Sequence, residues 1–216
     1  MKDNSAGTAR QLAGIFLDTF LLRNIVLVQA VGLCPILAAG TNLKYGVALT
    51  VCTAVVLLPT SLLMSLLRER LPNWLRPPVY TIGASVLLLG VAFLLDTFIS
   101  HEIYAALYLF LPLMAVNTLF TYRAGGFSVS NRPTAALVDA LGSSLGFGLV
   151  ICAVSALREI AARGTIWDVP IGVTTVLPEA SLPFIGFLLL AFMAALLQHF
   201  HSRLTRAAER REAGEP

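Results

Sequence analysis

The chain has 216 residues, 57% of them hydrophobic and 12% charged, with a mean hydropathy of +0.81, against roughly a quarter charged in a soluble domain. That excludes a soluble globular protein and predicts an all-α integral membrane protein with no room for a sizeable soluble domain. The net charge of +3 is no argument for nucleic acid, because the cations follow a membrane pattern described below.

In chain order, residues 1–23 read as a cytoplasmic amphipathic lead-in. Asp18 and Arg23 interrupt its apolar run and no small-residue cleavage site follows, so a removed signal peptide is not expected. Six apolar stretches come next, at 24–40, 45–67, 79–98, 103–122, 135–157 and 181–200. A span needs roughly 20 apolar residues, and fewer where a broken helix is buried by its neighbours. The first and fourth stretches are the short, interrupted ones. Residues 24–200 are thus expected to form one six-span domain, and residues 201–216 a solvated cytoplasmic tail.

If each stretch spans once, one face receives Lys2, Arg10, Arg23, Arg68, Arg70, Arg76, Arg123, Arg132, Arg203, Arg206, Arg210 and Arg211. The other receives Lys44, Arg158 and Arg163. Such a bias places both termini in the cytoplasm.

Within the first stretch, "GLCPILAAGT" (Gly32–Thr41) sets a thiol, a proline and a glycine close together. Proline removes a backbone donor and glycine weakens a helix, so a break is expected at Pro35 and Gly40. Freed backbone groups in hydrocarbon need partners inside protein. "PLMAVNT" (Pro112–Thr118) matches "PILAAGT" (Pro35–Thr41), and "GFGLVICAVS" (Gly146–Ser155) matches "GVALTVCTAV" (Gly46–Val55). The offset grows by the loop Tyr122–Thr134. With three spans per half, the second copy enters from the opposite face, giving two inverted three-helix repeats with helices one and four broken; sites in such folds form at the repeat interface.

Three cysteines, Cys34, Cys52 and Cys152, all lie in apolar stretches and do not describe a disulfide framework. Packing is the plain reading of Cys52 and Cys152. Asp139 is an intramembrane carboxylate, hence a candidate for ion or proton passage, with an interfacial helix cap as the alternative. Arg158 and Glu159 read as a neighbouring pair at the end of the fifth span, with an interfacial anchor as the plain reading, Glu159 being a second ion-path candidate. Asn117 is expected to cap the broken fourth helix. His101, His199 and His201 fall at span ends and read as interfacial. No GxGxxG, P-loop, HExxH or Ser/His/Asp arrangement is present, so the chain carries no complete active site of its own.

"LVQAVGLCPILA" (Leu27–Ala38), "LFLPLMAVNT" (Leu109–Thr118), "YRAGGF" (Tyr122–Phe127), "LVDALGSSLGFG" (Leu137–Gly148) and "LREIAARGTIWD" (Leu157–Asp168) occur in one order. Together they resemble the E subunit of the Rnf electron-transport complex, with the D subunit of sodium-translocating NADH:quinone reductase as a relative. The resemblance implies the six-span inverted-repeat fold in a bacterial inner membrane and pairing with a homologous six-span A subunit. It implies further Rnf membrane and flavin or iron–sulfur subunits as partners. It also implies a [2Fe–2S] cluster shared across the pair, with two cysteines from each partner. The complex passes electrons between ferredoxin and NAD, coupled to Na⁺ or H⁺ movement.

On that pattern Cys34 is the first expected ligand, since thiolate is the usual iron–sulfur ligand. The second position holds Thr118, next to Asn117, where the family has cysteine. Three alternatives stay open there: another group ligates, the cluster is incomplete or altered, or the chain lacks it and serves as a scaffold. A secondary transporter or channel is the reading from a different class, as inverted repeats with broken helices also build those.

Overall fold

A computed structural model of the chain describes residues 12–17, 19–20, 25–99, 101–171 and 177–212. Two short helices, α1 (Ile25–Gln29) and α2 (Leu33–Ala39), precede the long α3 (Leu43–Leu66). A single 3₁₀ turn (Asn73–Leu75) leads into α4 (Arg76–Leu94). Next come α5 (His101–Leu107), α6 (Phe110–Ala115) and the one-turn α7 (Thr118–Phe120), which continues as π-helix over Thr121–Phe127. Then α8 (Pro133–Arg163) runs to a two-stranded hairpin, β1 (Thr165–Ile166) and β2 (Val169–Pro170), and α9 (Pro183–Glu212) closes the chain.

Among the described residues, three helical segments, Leu43–Leu66, Asn73–Thr97 and Pro133–Arg163, are long and apolar enough to cross a membrane. The pair 101–107 and 110–130, bent by 60°, makes a fourth if counted as one broken span. α4 shows what faces lipid: Ile82, Val86, Leu89 and Phe93 are all exposed, at a spacing that puts them on one stripe.

The core lies along α8, which packs most extensively against α3. Small residues set that crossing. A Cβ on Gly148 would lie 2.3 Å from Thr50 Cγ2, and one on Gly46 would lie 2.8 Å from Ser155 Oγ, so the two backbones approach as only glycine permits. Thr50, Thr53, Thr60 and Ser144 return their hydroxyls to carbonyls one turn back, which lets polar residues sit in an apolar interior.

Several expectations change. The first break falls at residues 30–32, before the cysteine: Ala30 and Gly32 take positive φ of 54° and 78°. Pro35 is instead the third residue of α2, where its missing N–H is no loss, and Gly40 is the helix's C-cap. The fourth stretch is interrupted twice, at 108–109 and 116–117. The loop expected at Tyr122–Thr134 is mostly helical, and α8 outruns the stretch 135–157 at both ends. α9 continues through residue 200 without a break, so the tail is not set off by a helix end. Most of the lead-in 1–23, with Lys2, Arg10, Asp18 and Arg23, lies outside the described residues.

Candidate functional site

The two helix breaks meet. Gly32 is the left-handed N-cap of α2, and its N–H donates to Thr118 Oγ1 at 3.3 Å, across 86 residues of sequence. On the other side Asn117 is the N-cap of α7: its Oδ1 accepts the Leu119 N–H at 3.2 Å and the Thr118 hydroxyl at 3.3 Å. Asn117 thus caps the broken helix as expected. Its Nδ2 is buried and has no partner among the described residues, an orphaned donor that ordinarily signals a missing acceptor.

Cys34 is the second residue of α2, one residue beyond Leu33, and is exposed. The structure therefore brings Gly32, Asn117 and Thr118 to one junction, with Cys34 two residues further along the chain. An exposed thiol and an orphaned amide donor fit one ligand position of a sulfur-rich anionic group, since hydrogen bonds to sulfur tune such clusters. They do not fit two. The Thr118 hydroxyl is already engaged on both sides, and among the described residues no group of three or more His, Cys, Asp or Glu could hold a metal. Cys52 is buried in the main core and Cys152 faces Thr50 Oγ1 at 4.0 Å, so both pack where α3 meets α8.

The expected Arg158–Glu159 pair is two separate devices, not an interfacial anchor; both side chains are fully buried. Arg158 donates from Nη1 to the carbonyls of Leu37 (2.9 Å) and Gly40 (3.0 Å), at the C-terminal end of α2. It also donates to the carbonyls of Ala180 and Ser181, just before α9. Glu159 accepts the first N–H of α3, from Leu43, on Oε2 at 2.8 Å. Its Oε1 accepts from the Thr165 hydroxyl (3.1 Å) and the Asp168 N–H (2.9 Å). A cation on helix-terminal carbonyls and a carboxylate on helix-initial N–H groups is the favourable sense for each.

Asp139 is not a helix cap. Arg132 occupies that place in α8, and Asp139 lies in the second turn, 1% exposed. Arg123, from the π-helical run, pairs with its Oδ1 at 2.8 Å, and the Thr19 hydroxyl donates to the same oxygen at 2.9 Å. Oδ2 and Arg123 Nε have no partner among the described residues. Both ion-path candidates are thus buried in α8, near opposite ends, and differ in how far their oxygens are used. His101 bonds Asp96 at 2.6 Å through Nδ1.

Sequence reasoning missed Gly32 and Arg123. Each stood in a motif already singled out, Gly32 directly before "LCP" and Arg123 in "YRAGGF"; a positive charge sixteen residues before a buried aspartate was the available signal.

The hairpin after α8 is fixed by charge. Asp168 accepts from Asn42 Nδ2 at 3.1 Å and pairs with Lys44. The bond to Lys44, with that to Asn42, holds its carboxyl below the usual carboxylate range.

Comparison with known proteins agrees with this architecture. Residues 12–194 match the Rnf-Nqr family, described as "Rnf-Nqr subunit, membrane protein". The chain is 37% identical over 142 residues to a protein of Shewanella sp. (strain ANA-3) that is named as the E subunit of an ion-translocating oxidoreductase complex. That match covers 66% of this chain and 61% of the relative. Proteins of the same name from Shewanella loihica (37%) and Shewanella oneidensis (36%) match over the same length. The match thus spans less than two thirds of those relatives. With a family match reaching from the lead-in to α9, over the helix breaks and the buried charges of α8, this chain belongs to the Rnf-Nqr family of membrane subunits.

Proposed function

We propose that the chain is the E-type membrane subunit of an Rnf complex, an ion-translocating oxidoreductase that passes electrons between ferredoxin and NAD and couples this to Na⁺ or H⁺ movement. In this reading it forms six spans as two inverted halves in a bacterial inner membrane, both termini cytoplasmic. It pairs with the homologous six-span A subunit and works beside the other Rnf membrane and flavin or iron–sulfur subunits. The observation that carries the reading is the junction of the two helix breaks, where Gly32 bonds Thr118 and Cys34 stands exposed one residue past Leu33.

Cys34 is this chain's one thiolate toward an intramembrane [2Fe–2S] cluster shared with the partner, and Asn117 Nδ2 is a donor for a sulfur there. Such a cluster supplies a one-electron relay. The chain's own part is to hold the thiol at a fixed helix start and to keep the neighbouring donor dry. Asp139 and Glu159 are the ion-path candidates.

A second reading, a cluster-free scaffold, is favoured by Thr118, whose hydroxyl accepts the Gly32 N–H from the facing helix and donates to Asn117 Oδ1, bonds that a ligand would have to give up. Low-temperature EPR of the dithionite-reduced complex, wild type beside Cys34→Ser, separates the two. A [2Fe–2S] signal lost on substitution supports the relay. An unchanged signal removes Cys34 from the site, and no iron in the wild type leaves the scaffold.

A further inference from the structure

A cavity of about 370 Å³ lies away from the helix breaks, between the start of α3, the α4–α5 connection and the hairpin after α8. Its mouth carries one cation, Lys44, and two carboxylates, Glu102 and Asp168. Tyr45 and Trp167 flank it, and its floor descends to Val51, which faces outward and is 53% exposed. From Lys44 to Val51 is about 10 Å along a helix, at roughly 1.5 Å per residue. The cavity is therefore polar and aromatic at the helix ends and apolar below, the order of a headgroup above an acyl chain, with Tyr and Trp where amphipathic rings settle.

The Trp167 side of the mouth is held in place at a conformational cost. The register Ile166↔Val169 leaves a two-residue turn, and both its residues, Trp167 and Asp168, have positive φ, 57° and 62°. Turns of this kind ordinarily take Asn-Gly; a bulky aromatic there is an outlier that neighbouring structure must enforce. The enforcement is visible in the bonds of Asp168 to Lys44, Asn42 and the buried Glu159.

We infer that this cavity seats an amine-bearing, zwitterionic phospholipid, its phosphate toward Lys44 and its ammonium toward Glu102. Lys44 already pairs with Asp168, which Arg163 also approaches at 4.0 Å. Glu102, for which no ion pair is seen among the described residues, is therefore the lining carboxylate left to meet a cation. This favours a ligand carrying a cation beside its phosphate over one with a phosphate alone. A phospholipid with a neutral hydroxylated headgroup lacks the group that Glu102 would meet. An apolar partner helix would bury Lys44, Glu102 and Asp168 without pairing them all.

The test uses Trp167 itself, since Trp74 is the only other tryptophan. The full chain carrying Trp74→Phe is placed in vesicles holding a small, equal fraction of brominated phosphatidylethanolamine or phosphatidylglycerol, and quenching of Trp167 is compared. Saturable quenching severalfold stronger with the ethanolamine lipid, the preference abolished by Val51→Phe with the emission maximum unchanged, supports the site. Equal quenching by both lipids overturns it. So does loss of quenching once the other subunits of the complex are bound, because the cavity would then belong to a protein partner. Glu102→Gln lies on an exposed helix start and spares the hairpin; it should reduce the preference, and an unaltered preference also counts against the proposal.

Discussion

Arg158 and Glu159 adjoin in sequence and serve opposite helix ends: Arg158 donates to the terminal carbonyls of α2, and Glu159 accepts the initial N–H of α3. The turn between the broken helix and the first long span is thereby clamped from both sides by consecutive residues of α8. The helix that bears Cys34 cannot shift along its axis without breaking the Arg158 bonds.

Replacing Arg158 tests the clamp. Arg158→Ala strands the carbonyls of the buried residues Leu37, Gly40 and Ala180, and each unsatisfied buried group costs about 1–3 kcal/mol. We expect a loss of roughly 3 kcal/mol or more, read as a lower melting temperature of the full chain in detergent. Arg158→Lys should recover only part of it, because an ammonium lacks the planar fork that reaches acceptors on two sides.

The two candidate carboxylates for the proposed ion path, Asp139 and Glu159, should separate in function. Glu159 has both oxygens occupied by backbone and hydroxyl donors, whereas Asp139 Oδ2 has no partner among the described residues. Glu159→Gln turns one acceptor into a donor facing an N–H and should cost about 1–3 kcal/mol of stability. Its dependence on Na⁺ concentration should be unchanged. Asp139→Asn should instead alter ion-coupled turnover of the reconstituted complex, and an unaltered ion dependence there would remove Asp139 from the path.

Close packing at the central crossing predicts a steric effect. Gly148→Ala places a methyl 2.3 Å from Thr50 Cγ2, an overpacking that costs about 1–3 kcal/mol. Gly148→Ala combined with Thr50→Ser removes the clashing methyl and should restore much of the melting temperature.

Thr118 can be read by two substitutions. Thr118→Val deletes the acceptor for Gly32 N–H and should cost about 1 kcal/mol. Thr118→Cys introduces the second thiol that the resemblance implies; iron per complex should rise, with a changed EPR line shape, if Cys34 already ligates.

Acid should loosen the hairpin. The Asp168 carboxyl titrates below its ordinary 3.8 when folded, so its contribution is fully present above that value and lost as pH falls through the folded pKa. Hydrogen exchange at the Ile171 N–H, which bonds the Gly164 carbonyl, should accelerate on acidification below about pH 4. In Asp168→Asn that step should be absent.

The sequence made α3, α4 and α8 readable because uninterrupted apolar runs leave little choice of structure. It misplaced the first break, since Pro35 attracts attention while the φ that turns the chain belongs to Ala30 and Gly32. The proline is tolerated within a first turn; the left-handed residues before it are what bend the chain. Asn117 as a cap was legible from residue type and position. The partners of Arg158 were not, because backbone carbonyls over a hundred residues away leave no mark on sequence.

α8 also works as a ruler. Its 31 residues reach about 46 Å at ~1.5 Å per residue, well beyond the ~30 Å of a hydrocarbon core. The nineteen-residue step from Asp139 to Arg158 measures about 28 Å on the same scale, so the two buried charge clusters are separated by nearly one hydrophobic thickness. A bilayer of longer acyl chains would draw one cluster toward its interior or force the helix to tilt less. Activity of the assembled complex should therefore pass through an optimum in lipid chain length, set by the spacing of two residues on one helix.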